Sequence, residues 1–176
     1  MLSIVMLIVD AIATLLGGAL LLRFWMQAIR VRPPSSVAQF TFQLSDWLVR
    51  PLRRIVPGVG GYDWASLIGA FLIVLLATSV LFAFGWTTQA VLLAALQRFL
   101  QWILYGFMAL LVIEAIFSWV NPHAPLAPFV RALNEPILRP LRRVVPLVGN
   151  LDLSLLVALI LLQIANILLG MAFSGR

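Results

Sequence analysis

The sequence predicts an all-α integral membrane protein: four transmembrane helices as two parallel repeats, each a helix, an amphipathic interfacial loop helix and a second helix. Three observations predict it. Hydrophobic residues make up 63% of the 176-residue chain and charged residues only 10%, with a mean hydropathy of +1.09. A soluble domain carries about 25% charged residues, so lipid must cover part of this surface. Four apolar stretches can each cross about 30 Å of hydrocarbon at about 20 residues apiece. An arginine–proline motif occurs twice, each time directly before one of those stretches.

The first span runs approximately from Leu2 to Ile29. No basic residue precedes Arg23, and the apolar run is too long for a signal-peptide core, so a retained helix is expected rather than a cleaved leader. Ala11, Thr14 and Gly18 give it a small-residue face for close helix packing. In the first loop, 30–62, Val37, Phe40, Leu44, Trp47, Leu48, Pro51, Leu52 and Ile55 recur at steps of three and four. Gln43, Asp46, Arg50, Arg53 and Arg54 fall mostly between them. This stripe predicts an amphipathic helix in the interface, apolar side down and arginines toward phosphates. The alternative is a helix packed on the bundle with merely solvated arginines. Pro57 and the glycines after it end the segment.

The second span, Trp64 to Phe84, follows Asp63. The third runs from Leu100 to Val120, and the apolar lead-in Thr88–Phe99, interrupted by Arg98, is either interfacial or a tilted extension. The second loop, 121–151, repeats the stripe with Phe129, Leu133, Ile137, Leu141 and Val144. Pro136 and Pro140 predict a kinked or split helix there, with Pro146 ending it. The fourth span, Leu153 to Phe173, carries Asn166-x-x-x-Gly170, a second small-residue packing surface.

The internal repeat fixes the architecture. Arg50-Pro51-Leu52-Arg53-Arg54-Ile55-Val56-Pro57 recurs as Arg139-Pro140-Leu141-Arg142-Arg143-Val144-Val145-Pro146. The register continues through Val59-Gly60 and Val148-Gly149 to Asp63 and Asp152, at a constant spacing of 89 residues. The units are 1–87 and 88–176. Each contains two spans, so the chain returns to its starting side and the repeats are parallel, with both loops on one face. Arg30, Arg32, Arg50, Arg53, Arg54, Arg131, Arg139, Arg142 and Arg143 lie in the loops, against Arg98 and Arg176 opposite. That bias predicts cytoplasmic loops and both termini outside. Trp25, Trp64 and Trp119 fall at the inner boundaries and Trp86 and Trp102 at the outer ones, as indole prefers.

The chain has no Cys and no Lys, and its one histidine is His123. Thiol catalysis, disulfides, Cys-based zinc, Schiff bases and a multi-His metal site are thereby excluded within one chain. No Gly-x-Ser-x-Gly, His-Glu-x-x-His or P-loop pattern occurs, so no catalytic residue, cofactor or metal is expected. A net charge of +6 carried by arginines beside long apolar spans points to anionic phospholipid, not nucleic acid. Arg50, Arg53, Arg54, Arg139, Arg142 and Arg143 are the expected lipid- or partner-binding residues. Asp63 and Asp152 read as helix N-caps, with a paired-carboxylate site as the lesser alternative.

Asp10, Arg23 and Glu114 lie within spans, where ionisable groups need a reason. Arg23 and Glu114 each precede the inner end of their span by about six residues, roughly 9 Å of helix, and each is followed one turn later by a polar residue, Gln27 or Ser118. Equal depth and opposite charge predict an Arg23–Glu114 pair across the pseudo-symmetry axis. A polar ion path, or snorkelling of Arg23 beside a protonated Glu114, are the alternatives.

Two Pro-Leu-Arg-Arg-x-x-Pro-x-x-Gly-x-x-Asp segments, each before a span, resemble the two repeats of the YggT/YlmG family. Leu22-Arg23-Phe24-Trp25-Met26-Gln27 and Ser118-Trp119-Val120-Asn121-Pro122 are similar to it as well. Where members often carry Asp-x-Ser-Pro, this chain has Asp152-Leu153-Ser154-Leu155 and Asp63-Trp64-Ala65-Ser66. The first unit also lacks the Ser-Trp-x-Asn-Pro lead, which leaves room for specialisation of the units. The resemblance implies a bacterial or plastid membrane protein with no enzyme assignment, from a family linked to envelope or division-associated organisation, osmotic tolerance and thylakoid biogenesis. The expected function is a non-enzymatic organiser in the bacterial inner membrane, binding anionic lipid and a membrane or division/envelope partner through its loops. Self-association stays open. A small channel or transporter subunit, using Asp10, Arg23, Glu114, Gln163 and Asn166, is the second expectation.

Overall fold

The computed structural model describes residues 2–145 and 152–174; Pro146, Val148, Gly149 and Arg176 lie outside them. Six α-helices follow in order: α1 (Leu2–Ala28), α2 (Ser35–Ile55), α3 (Trp64–Thr78), α4 (Thr88–Val120), α5 (Ala127–Leu141) and α6 (Ser154–Ser174). A 3₁₀ segment, Ser79–Phe84, extends α3. Four helical segments are long and apolar enough to cross a membrane: Met6–Ala28, Trp64–Phe84, Thr88–Val120 and Ser154–Phe173.

Local chemistry sets the ends of these helices. At the end of α1, Arg30 adopts φ 57°, its N–H donates to the Gln27 carbonyl at 3.1 Å, and the Val31 N–H donates to Met26 at 3.0 Å. This is the Schellman arrangement, with a left-handed residue turning the chain out of the helix. Pro33 and Pro34 then hold it extended until α2 begins. Between α2 and α3 the turn is made by Gly60 and Gly61, both at positive φ.

Small residues bring the first hairpin together. Ala13 and Leu20 of α1 pack against Ala65, Ala70, Ile73, Val74 and Ala77 of α3. At Gly69 a Cβ would come within 3.3 Å of Leu48 in α2, so the missing side chain lets α2 lie against α3.

Thr88–Phe99 is part of the third span: α4 is one helix of 33 residues. Val91, Ala95 and Phe99 are buried at successive turns, and Ala95 and Phe99 enter the α1–α3 core. Trp102 accordingly stands inside α4, its ring covering Gly17 of α1, and not at the outer boundary expected for a span starting near Leu100. Gly17, and not the predicted Gly18, makes the close approach, since the Gly18 face is open.

The two loop helices differ. On the wheel of α2, Thr41, Ser45 and Val49 face the bundle, with Leu48 and Leu52 beside them. Asp46, Arg50, Arg53 and Arg54 form the next face, and Phe40, Trp47 and Ile55 stand exposed on the third. The predicted apolar stripe therefore divides, part inward and part outward. In α5 most of it turns inward. Phe129, Val130 and Leu133 pack on Met26, Trp25 and Phe117, and Leu138 joins Leu111 and Ala158. Pro136 and Pro140 do not split α5, which continues through both as one helix. Each proline removes one ladder hydrogen bond, while buried Leu133 and Leu138 anchor the segment around them.

The repeats are parallel. Asp10 meets Arg98 near one end of α1 and α4, and Trp25 meets Phe107 edge-on at 4.8 Å further along. Trp25 Nε1 also donates to the Leu133 carbonyl of α5 at 2.9 Å, which brings both loop helices to the same face of the bundle.

Candidate functional site

Each unit ties its loop helix to its spans through an ionic cluster. In the first, Arg23 of α1 is 7% exposed. Its Nη1 donates to Ser45 Oγ and to Asp46 Oδ1, each at 2.7 Å, and its Nε lies 3.4 Å from Asp63 Oδ2. The Phe42 ring lies 4.8 Å from its guanidinium carbon. Asp63, 2% exposed, accepts a fork from Arg53, with Nη2 at 2.6 Å and Nε at 3.2 Å, and a 2.6 Å hydrogen bond from Ser66 Oγ. Such bidentate, charge-assisted contacts are the strong ones. Arg50 Nη2 donates to Asp46 at 2.7 Å.

In the second cluster the buried intramembrane group is an anion. Glu114 of α4 accepts from Asn134 Nδ2 at 2.7 Å and from Arg142 Nη2 at 3.3 Å. Arg142 also donates to Glu135 at 3.0 Å and to Asp152 at 2.8 Å, so one guanidinium serves three carboxylates. The loop residues correspond at the repeat spacing: Ser45 with Asn134, Asp46 with Glu135, Arg53 with Arg142, and Asp63 with Asp152. The spans supply opposite charges to these matching loops.

The predicted Arg23–Glu114 pair is not formed. Matched depth is not sufficient, because the two side chains leave their helices in different directions: Arg23 toward α2 and α3, Glu114 toward α5. Each charge is compensated inside its own unit. The N-cap expectation divides too. Asp152 Oδ1 accepts the Ser154 N–H at 3.0 Å at the start of α6. Asp63 occupies the N-cap position of α3, but its carboxylate makes no backbone cap and is committed to arginine and to Ser66.

The acids register these partners. The Arg23 hydrogen bond leads the effects that hold the Asp46 carboxyl below its ordinary range. Burial works to raise Asp63, but hydrogen bonds from Arg53 and Ser66 outweigh it and leave the group lowered. Asp152 follows the same pattern: burial is opposed, and exceeded, by Arg142 and the Ser154 contacts.

Of the arginines expected to bind lipid, Arg53 and Arg142 are thus structural clamps. Arg54, Arg139 and Arg143 are exposed and make no ion pair among the described residues, and Arg50 is 79% exposed beside Asp46. Gln27 donates to the Gly61 carbonyl at 3.3 Å, and Ser118 is exposed. Asp10 pairs with Arg98 at 2.8 Å on the opposite face, and Arg98 also lies over Trp102. Sequence reasoning missed this pair. The signal was there in the register, since the counterpart of Asp10 is Phe99, the residue next to Arg98.

Among the described residues of a single chain, the groups of the channel reading are not gathered into one passage. Arg23 and Glu114 serve separate clusters, Asp10 lies at the other end, Gln163 is exposed, and Asn166 donates to Tyr105 Oη at 3.2 Å. A cleft of about 830 Å³ between α1 and α4 is walled chiefly by apolar groups such as Leu21, Leu22, Trp102 and Phe107.

Parallel helical hairpins with a charge-clamped loop helix on each define a four-span membrane protein made of two tandem units. The chain belongs to the CCB3/YggT family, whose pattern matches residues 2–84 and again residues 93–173. It is 34% identical over 163 residues to an uncharacterised protein of Vibrio alginolyticus encoded in the proC 3′ region, covering 85% of this chain and 84% of that one. It is 32% identical over 148 residues to YggT of Escherichia coli K12, covering 84% and 79%, and 34% identical over 155 residues to an uncharacterised protein of Pseudomonas aeruginosa with the same coverage. No solved structure matches it.

Proposed function

We propose that the protein is a non-enzymatic organiser of the bacterial inner membrane, which contacts anionic phospholipid and a membrane or envelope partner through its arginine-bearing loop helices. The observation that carries this reading is the three-faced α2. One face is fixed to the bundle, one presents Phe40, Trp47 and Ile55, and the face between them presents Arg50 and Arg54. A helix held in that attitude can press its apolar side into the headgroup boundary with its arginines at phosphate level. Arg139 and Arg143 add positive charge from the second unit on the same side.

The test replaces Arg50, Arg54, Arg139 and Arg143 with Gln and leaves the clamps Arg53 and Arg142 intact. Each arginine near an anionic surface contributes about 1 kcal/mol at low salt, and screening shrinks this as salt rises. Enrichment of anionic lipid around the reconstituted protein should therefore fall several-fold in the quadruple variant, most at low ionic strength. Undiminished enrichment would remove the lipid role.

A further inference from the structure

A second cavity, of about 300 Å³, opens beside the first ionic cluster, lined by Arg23, Gln27 and Arg53 on one hand and by Met26, Val31 and Phe42 on the other. Both arginines keep donors in reserve. Arg23 spends Nη1 and Nε on Ser45, Asp46 and Asp63, and Arg53 spends Nε and Nη2 on Asp63. Nη2 of Arg23 and Nη1 of Arg53 have no acceptor among the described residues. Asp46 and Asp63, the acids of this cluster, are already bridged, while Arg30 and Arg32 flank Val31 in the chain. Arg23, Arg50 and Arg53 together face only Asp46 and Asp63, so the cluster beside the cavity carries one net positive charge, and one of the cavity's guanidiniums is more than nine-tenths buried and held by three partners.

We propose that this cavity seats the phosphate of one anionic phospholipid, gripped between Arg23 and Arg53, with the glycerol end of its chains against Met26, Val31 and Phe42. The inference rests on the lipid-contacting function proposed above and narrows it to a stoichiometric site. Paired guanidinium donors match the geometry of a phosphate oxyanion. A free phosphate gains nothing from the apolar wall, whereas a lipid at the membrane boundary uses both halves of the cavity. The net positive charge of the cluster disfavours a cationic headgroup and favours a net negative one. In the second unit the buried intramembrane group is the anion Glu114, which repels a phosphate.

The experiment uses the full chain in detergent micelles, with retained lipid counted by native mass spectrometry. Phosphatidylglycerol and phosphatidylcholine are supplied at equal low mole fraction, with inorganic phosphate as a third arm. One phosphatidylglycerol per chain should survive delipidation under conditions that strip phosphatidylcholine. Gln27→Trp, which fills the cavity from an exposed position and leaves both arginines, should lower that retention at least tenfold, and Gln89→Trp, at an exposed site in the first turn of α4, should not. Val31→Trp closes the same cavity from the other wall and decides the matter if Gln27→Trp fails to fold. Equal retention of the two lipids, or undiminished retention in a folded filled variant, would overturn the site. Full displacement by millimolar phosphate would reassign it to the free ion. Equal retention of the two lipids while lateral enrichment still falls in the quadruple arginine variant refutes only this inference; enrichment undiminished in that quadruple variant refutes the wider function.

Discussion

Asp63 and Asp152 hold the same place in the repeat, yet burial gives them different weight. Asp63 is 2% exposed and holds two arginines and a serine, while the Asp152 side chain is 27% exposed and shares its one arginine. Breaking a buried ion pair by removing one partner costs about 3–5 kcal/mol, so Asp63→Asn should lower thermal stability in detergent strongly. Asp152→Asn should cost about 1 kcal/mol, since a partly exposed pair is weak and Asn still caps. Both carboxyls lie below their ordinary range when folded, against about 3.9 unfolded. Their contribution is complete above that unfolded value and is lost as pH falls through the lower folded values. The melting temperature should hold steady from pH 7 to about 5 and drop below pH 4, with a shallower acid slope in Asp63→Asn. A melting series across that range checks both points. The clamps were half legible in the sequence: Arg53, Asp63, Arg142 and Asp152 stood out by repetition, but repetition does not say what each side chain touches. Asp46 was legible only as one polar residue of an amphipathic stripe, and Glu135, its counterpart at the same spacing, did not stand out at all. Depth along a helix was readable for Arg23 and Glu114; azimuth was not, and azimuth decides partners.

At the level of elements, spans were the most legible and contacts between them the least. Hydropathy located all four, because length and apolarity alone decide what can cross a bilayer. The continuity of α4 through Arg98 depended on a partner far away in sequence, Asp10, which local pattern does not carry. Likewise, Gly17 and Gly18 look alike in the sequence, and only the neighbouring helix distinguishes them. A side chain at Gly17 runs into the Trp102 ring, whereas Gly18 has open space. Gly17→Leu should therefore destabilise by about 1–3 kcal/mol through overpacking, and Gly18→Leu should be close to neutral. Adding Trp102→Ala to Gly17→Leu should recover part of the loss. Thermal melts of the four proteins measure this, and equal effects at the two glycines would contradict the packing described.

For the whole molecule, the parallel repeats place α2 and α5 on one face, and the arginine bias is the ground on which we propose that this face is cytoplasmic. The absence of native cysteine makes this easy to examine. Arg54→Cys and Arg139→Cys should react with an impermeant thiol reagent only once the inner face is opened, whereas Gln89→Cys, in the first turn of α4, should react in intact spheroplasts. The reverse pattern would invert the topology. One further consequence comes from each ionic cluster closing inside its own unit. A chain made from its N-terminus commits its first hairpin to lipid before its second exists. Had Arg23 needed Glu114, that charge would have waited uncompensated in the bilayer while α4 was still being synthesised. Instead Asp46 and Asp63 arrive with the same hairpin, and Asn134 and Arg142 follow Glu114 directly. Each loop cluster can therefore leave the insertion machinery with its own charges compensated, and only the Asp10–Arg98 pair, which crosses between the units, has to wait for the second hairpin.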